Sequence, residues 1–272
     1  MEAKHILITG STDGIGKLAA IQLAQQNHHV YLHGRNTSKL ESTVFEIKEI
    51  SANSNIKGFL ADFSNLTSVK QMAEEIQREV PRLDVLINNA GAFKTSHPIT
   101  ETGIDVRLMV NYLAPYLLTK ELLWLLQKGN QTRIVNLSSA AQSAVFLEAL
   151  EGNLDLNSQQ AYAQSKLALT MWSFDLAKKL SNTSVIAVNP GSLLNTKMVQ
   201  EAYGQHWSSA DKGSSLLFDL AVSQKYEGIT GKYFDNDLGD PRGRFGKAHP
   251  DAYDQKKIDD LISITENIMQ RL

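Results

Sequence analysis

The chain of 272 residues carries a net charge of −2, is 42% hydrophobic and contains no cysteine. That is enough apolar chain for a sizeable core, and the missing cysteine excludes disulfides and thiolate catalysis and suits a reducing cytoplasm. The near-neutral charge gives no reason to expect nucleic acid, no run of about 18 apolar residues marks an integral membrane segment, and the first strand starts too early to leave room for a signal peptide.

Lys4-His5-Ile6-Leu7-Ile8-Thr9 reads as a buried strand. It runs into Gly10-Ser11-Thr12-Asp13-Gly14-Ile15-Gly16 and then an amphipathic pattern from Lys17 to Ala24. Strand, glycine turn and helix together set a pyrophosphate at a helix N-terminus, where free N–H groups and the dipole favour negative charge. The glycines alone are also compatible with a tight loop, and their spacing is G-x-x-x-G-x-G rather than G-x-G-x-x-G. The second strand, His29 to His33, ends at Gly34-Arg35-Asn36. Sites for NAD place an acid here for the ribose 2′-hydroxyl. Arg35 instead suits the 2′-phosphate of NADP, with Lys17 as further help. NADP(H) is therefore favoured and NAD(H) is the alternative; an exposed loop arginine is the competing reading of Arg35.

A helix is predicted from Lys39 to Ile50, and a third strand from Ile56 to Ala61. Asp62-Phe63-Ser64-Asn65 follows, with Asp62 placed to cap or turn into a helix from Ser68 to Val80. The fourth strand, Leu83 to Ile87, leads into Asn88-Asn89-Ala90-Gly91. A buried asparagine there would tie neighbouring strands, and Gly91 would leave space for a cofactor. A long helix from Thr102 to Gln127 contains Asn111 and is apolar on most faces between Leu113 and Leu126. A sheet covers only one side of such a helix, so the rest falls to a second copy of the chain or to the chain's own segments.

The fifth strand, Arg133 to Leu137, ends at Ser138-Ser139. A helix from Gln159 to Leu180 carries Tyr162 and Lys166, which share a face at i and i+4. An ammonium beside a phenol favours the phenolate and lowers a pKa that is ordinarily ~10, so the pair can exchange a proton with an alcohol or carbonyl. A sixth strand runs from Ser184 to Asn189. The polar stretch Asn195 to Gln205 reads as a mobile cover, within a substrate-covering segment of about 195–213. A helix from Lys212 to Gln224, a strand from Gly231 to Phe234, a loop from Asn236 to His249 and a helix from Asp251 to Gln270 complete the chain. The alternation argues for one α/β domain over residues 1–272, a single doubly wound parallel sheet with helices on both faces. Trp124, Trp172 and Trp207 are expected in the core or a pocket wall. Leu147, Leu193, Leu194 and Met198 suggest an apolar pocket or ordinary core. The histidines show no metal-ligand spacing, and no G-x-S-x-G elbow surrounds Ser139.

Taken together, Thr9-Gly10-x-x-x-Gly14-Ile15-Gly16, Asn88-Asn89-Ala90-Gly91, Asn111, Ser139, Tyr162-x-x-x-Lys166 and Pro190-Gly191 through Thr196 resemble the short-chain dehydrogenase/reductase family over nearly the whole chain. The resemblance implies a Rossmann-type fold and hydride transfer between NADP(H) and an alcohol/carbonyl substrate. It implies that Tyr162 exchanges the proton, Ser139 hydrogen-bonds the reacting oxygen, Lys166 also holds the nicotinamide ribose, and Asn111 orients a water. Its cofactor contacts fall on Gly10, Ser11, Thr12, Asp13, Gly14, Ile15, Gly16, Arg35, Asn36, Asp62, Phe63, Asn89, Ala90, Gly91, Tyr162, Lys166, Pro190, Gly191 and Thr196. Homodimers or homotetramers are common in the family.

Two features depart from it. Ser139 and Tyr162 lie 23 positions apart (162 − 139), with an inserted run of about Val145 to Ser158 that is similar to the retinol dehydrogenase and WW-domain oxidoreductase branch. This run either shapes the cleft mouth or is a surface excursion. Asp13 stands where some NADP-preferring members carry a basic residue. Two other functions use the same features: a dinucleotide-binding regulator or scaffold without turnover, and an isomerase or dehydratase without net redox change.

Overall fold

The computed structural model describes residues 2–239 and 243–271. Eight strands, β1 (His5–Ile8), β2 (His29–Gly34), β3 (Ile56–Leu60), β4 (Val85–Asn88), β5 (Thr132–Leu137), β6 (Thr183–Asn189), β7 (Lys232–Asp235) and β8 (Arg244–Gly246), make one sheet in the order β3-β2-β1-β4-β5-β6-β7-β8. All pairings are parallel except β7 with β8. The strand order reverses between β1 and β4, which opens a crevice at their carboxyl ends.

The apolar runs of the central strands follow from burial on both faces. Successive side chains alternate sides, so Ile6 and Ile8 enter one core while Leu7 enters the other. The first core includes α1 (Gly14–Gln25), α2 (Thr37–Ser51) and α9 (Ala210–Val222). The second includes α3 (Leu66–Glu79), α5 (Ala114–Gln127), α7 (Ser158–Lys179) and α10 (Gln255–Met269). The remaining helices are short: α4 (Val106–Leu108), α6 (Leu147–Leu150) and α8 (Lys197–Tyr203).

The long helix expected from Thr102 begins only at Val106. Gly103, at φ +82°, turns the chain, and the Asp105 side chain caps α4 by accepting from the Arg107 N–H. A π-turn over Met109–Leu113 then joins α4 to α5, and such turns often accompany functional sites. Most apolar residues of α5 are buried within the chain itself, and α10 is tied to this region by Tyr112–Thr265, Tyr116–Glu266 and Lys120–Glu266 contacts.

The loop expected from Asn236 to His249 contains β8, an edge strand too short to show a periodicity; residues 240–242 of that stretch lie outside the described residues. The last helix starts at Gln255, because Pro250 opens a 3₁₀ turn and Asp254 caps α10. Only Trp172 of the three tryptophans is core; Trp124 is 40% exposed and Trp207 75% exposed. Trp124 lies instead under the Lys128 ammonium, 3.7 Å from it.

Candidate active site

A cleft of about 1650 Å³ runs along the carboxyl ends of the strands. Its floor is the glycine turn between β1 and α1. Gly10 has φ +64°, and a Cβ there would stand 2.7 Å from the Ala90 Cα. A Cβ on Gly16 would press into the Asn89 amide and stand 2.8 Å from the Gly10 carbonyl oxygen. Asn89 donates from Nδ2 to the Thr9 and Gly10 carbonyl oxygens at 2.8 and 2.9 Å, which fastens the turn to the end of β4. Asn88 donates to Asn136 Oδ1 at 2.8 Å and ties β4 to β5. These asparagines do the strand-tying expected of them. The result is a turn whose backbone is left open at Gly10, Gly14 and Gly16 at the N-terminus of α1, which fits an anionic pyrophosphate.

His33, unassigned in the sequence, holds the turn from β2. Its Nδ1 accepts from the Gly10 N–H at 2.9 Å, so the ring proton sits on Nε2 and is donated to the Ala61 carbonyl oxygen at 3.1 Å. Its ring stacks on Phe63 with centroids 4.1 Å apart. Burial lowers the His33 pKa to about 4, so the ring is neutral near pH 7. Ser11 faces inward: its hydroxyl donates to the Ile8 carbonyl oxygen at 2.8 Å and accepts from the His33 N–H at 3.0 Å. Thr12 lines the cleft with its methyl against Gly34.

Asp13 caps α1, accepting from the Gly14 N–H at 2.8 Å, and pairs with Lys39 at 2.6 Å. The Lys39 hydrogen bond holds the Asp13 carboxyl below the usual carboxylate range. Arg35 is exposed and lines the same end of the cleft as Lys39. Lys17, expected to help there, instead pairs with Glu46 at 2.7 Å outside the lining. Its helix face turns it toward α2, whereas Lys39 of α2 lines the cleft. Asn36 caps α2 by accepting from the Lys39 N–H at 2.8 Å. Asp62 is exposed in the lining and accepts from the Ser64 N–H and hydroxyl at 2.9 and 2.8 Å.

Asn157 sets the start of α7. Its side chain accepts from the Gln160 N–H at 3.0 Å while Gln160 Oε1 accepts from the Asn157 N–H at 3.3 Å. This reciprocal cap puts Tyr162 in the second turn and Lys166 one turn on. Both line the cleft. Lys166 Nζ lies 5.5 Å from the centroid of the Tyr162 ring and donates to the Leu137 carbonyl oxygen at 2.7 Å. Burial lowers its pKa to about 7. A Cβ on Gly91 would come within 3.8 Å of Nζ, so the glycine keeps that approach open.

Ser139, at the end of β5, is half-buried in the same lining. Its carbonyl oxygen accepts from Gln142 Nε2 at 2.9 Å and from the Tyr233 hydroxyl at 3.0 Å, two supports that no spacing in the sequence reveals. Asn111, in the π-turn, sits behind the lining. It accepts from the Ala92 N–H at 2.7 Å and donates to Ser165 Oγ at 2.9 Å, whose own proton goes to the Tyr162 carbonyl oxygen at 2.7 Å.

Pro190, Gly191 and Thr196 form the opposite wall. Asp237 braces it through the Ser192 N–H at 2.9 Å and the Asn189 amide at 2.8 Å. Thr196 caps α8 and faces Gly14. The rest of the lining mixes apolar side chains, among them Phe93, Ile104, Met109, Met198 and Ile268 with Leu150 from the inserted run, with polar ones such as Lys94, His97, Glu101, Glu151 and Arg271. That run is therefore part of the cleft wall. Leu194 serves both core and lining, while Leu147 packs on the core and Leu193 lies outside the lining.

The short chain dehydrogenase family profile matches residues 4–207. The chain belongs to the short-chain dehydrogenase family. This short-chain dehydrogenase is 33% identical over 254 residues to retinol dehydrogenase 13 of Mus musculus, covering 85% of this chain and 75% of the relative. It is 31% identical over 252 residues to polyprenol dehydrogenase of Homo sapiens, covering 85% and 76%. Among solved structures it superimposes with a TM-score of 0.72 on a short chain dehydrogenase from Escherichia coli CFT073 complexed with NADPH, at 28% identity over 86% of this chain and 97% of the other. The short-chain dehydrogenase is thus an oxidoreductase that acts on CH–OH donors with a nicotinamide dinucleotide. No helix among its described residues is long and apolar enough to cross a membrane.

Proposed function

We propose that this enzyme interconverts an apolar alcohol and its carbonyl compound with NADP(H), using Tyr162 as the acid/base. The observation that carries the reading is the buried Lys166 ammonium beside the Tyr162 ring, in the cleft whose floor is the glycine turn. The turn at Gly10–Gly16 would hold the pyrophosphate, Arg35 and Lys39 the 2′-phosphate, and Gly91 would leave room for the nicotinamide riboside beside Lys166. When bound, the dinucleotide supplies or accepts the hydride.

In reduction, the phenol of Tyr162 protonates the developing alkoxide and becomes a phenolate. The charged form of Lys166 stabilises that phenolate electrostatically, and the Ser139 hydroxyl donates to the same oxygen. In oxidation the phenolate takes the alcohol proton. Asn111 holds Ala92 and, through Ser165, the backbone at Tyr162. The apolar residues of the lining support a substrate with a hydrocarbon body, as do relatives named for retinol and polyprenol. The Arg35 and Lys39 positions, and the NADPH in the similar bacterial structure, support NADP(H).

The test is Tyr162→Phe, assayed by NADPH consumption against a panel of apolar aldehydes and ketones. Turnover is expected to fall by at least ~10²-fold, with NADPH affinity retained. Near-wild-type turnover in the variant would remove Tyr162 from the chemistry.

A further inference from the structure

Arg107 is 3% exposed, yet none of the chemistry above uses it. Its guanidinium serves three partners on three segments. Nε donates to the Phe93 carbonyl oxygen at 2.7 Å. Nη1 donates to both carboxylate oxygens of Asp105, at 3.0 and 2.8 Å. Nη2 donates to Ser158 Oγ at 3.0 Å.

Two of these partners lead to Tyr162 by different routes. The Phe93 ring lies in the cleft wall and meets the Tyr162 ring edge-on, with centroids 5.0 Å apart. Ser158 is the first residue of α7, one turn ahead of Tyr162. Burying a guanidinium and a carboxylate costs several kcal/mol of desolvation per ion, and a hydrophobic pair of similar size often serves stability as well. What a hydrophobic pair lacks is the rigid planar fork, whose donors point in fixed directions and can hold separate backbones in one register.

We infer that Arg107 is a positioning residue for Tyr162: it locks the Phe93 wall to the start of α7 and so keeps the phenol aligned with Lys166. The inference rests on the reading of Tyr162 as the acid/base. Asp105 holds the guanidinium in place, and Phe93 transmits its position to the phenol.

Arg107→Lys keeps a positive charge for Asp105 but lacks the fork that reaches all three partners. Displacing a reacting group by about 1 Å costs on the order of 10²-fold in rate, so kcat is expected to fall 10- to 100-fold while KM and the NADPH Kd hold. A phenol turned away from the ammonium has a raised pKa. In alcohol oxidation, the rising limb of kcat against pH therefore moves to higher pH, which a general loosening of the fold would not produce.

The experiment measures kcat, KM, the pH limb, NADPH Kd by fluorescence and the melting temperature for Arg107→Lys, Phe93→Leu, their double variant and Tyr162→Phe. Coupled action predicts that the double variant loses no more than the worse single one. Multiplying losses, or an Arg107→Lys enzyme with wild-type kcat and pH limb, overturns the inference even if Tyr162→Phe is inactive. An active Tyr162→Phe overturns the acid/base reading and the positioning role with it. If Arg107→Lys does not fold, Ser158→Ala and Phe93→Leu decide: both are expected to move the pH limb upward, and two unmoved limbs overturn the inference.

Discussion

Lys166 donates its Nζ hydrogen bond to the carbonyl oxygen of Leu137 at 2.7 Å, at the point where β5 gives way to the Ser139 loop. An ammonium that lines the cleft is thus buried against a neutral acceptor. The enzyme carries this arrangement at a cost in stability, and the cost has a definite pH signature.

Burial lowers the Lys166 pKa from 10.5 to about 7. Between those values the unfolded chain binds a proton that the folded chain does not, so stability rises as pH increases from 7 to 10.5, and the penalty is complete below 7. Lys166→Met is expected to gain on the order of 1–3 kcal/mol at pH 6, after the lost hydrogen bond is subtracted, and less at pH 10. Turnover is lost in the same variant. Thermal melts at the two pH values measure the gain; equal stability to wild type at pH 6 contradicts it.

His33 titrates in the opposite range. Its folded pKa of about 4 lies below the ordinary 6.5, so the unfolded chain takes up a proton first as pH falls. Stability is therefore lost from pH 6.5 down to 4, by roughly 2–3 kcal/mol in total. Protonated Nδ1 cannot accept from the Gly10 N–H, so NADPH affinity is expected to weaken only as pH falls through about 4, where the folded ring takes up its proton. Urea titrations at pH 7 and 4.5 measure the loss, and His33→Gln is expected to flatten it.

The floor of the cleft tolerates no side chain at Gly16. A Cβ there meets the Gly10 carbonyl oxygen at 2.8 Å as well as the Asn89 amide. Gly16→Ala is expected to cost about 1–3 kcal/mol through overpacking and to abolish NADPH binding. At Gly14 the nearest atom to a Cβ is 3.6 Å away and only the φ of +55° is strained, so Gly14→Ala is expected to cost about 1–2 kcal/mol. Denaturant unfolding and cofactor fluorescence separate the two variants; an equal loss in both speaks against the steric account.

In the proposed reading, Arg35 and Lys39 set the cofactor preference through charge. Hydrogen bonds to charged groups contribute about 1.5–3 kcal/mol, so Arg35→Ala is expected to weaken NADPH binding roughly 10- to 100-fold and to leave NADH nearly unchanged. Asp13→Asn releases Lys39 from its 2.6 Å ion pair and is expected to tighten NADPH binding. Paired titrations with both cofactors provide the check, and parallel losses for NADPH and NADH would count against a 2′-phosphate site.

Much of the molecule was decided locally and could be read from the sequence. Alternating burial along Ile6, Leu7 and Ile8, the glycines after β1, and the four-residue step from Tyr162 to Lys166 all depend on neighbours a few positions away, where strand and helix periodicities apply. The side-chain partners did not obey that limit. His33 reaches Gly10 across 23 positions because β2 lies beside β1, and Lys39 rather than Lys17 reaches Asp13 because of the way α2 packs against α1. The cleft wall joins Leu150 and Ile268, far apart in the chain, where the inserted run and α10 meet at the cleft. A chain's own periodicity determines which residues are buried, but which buried or charged groups meet is settled only when the sheet order brings separate strand ends together.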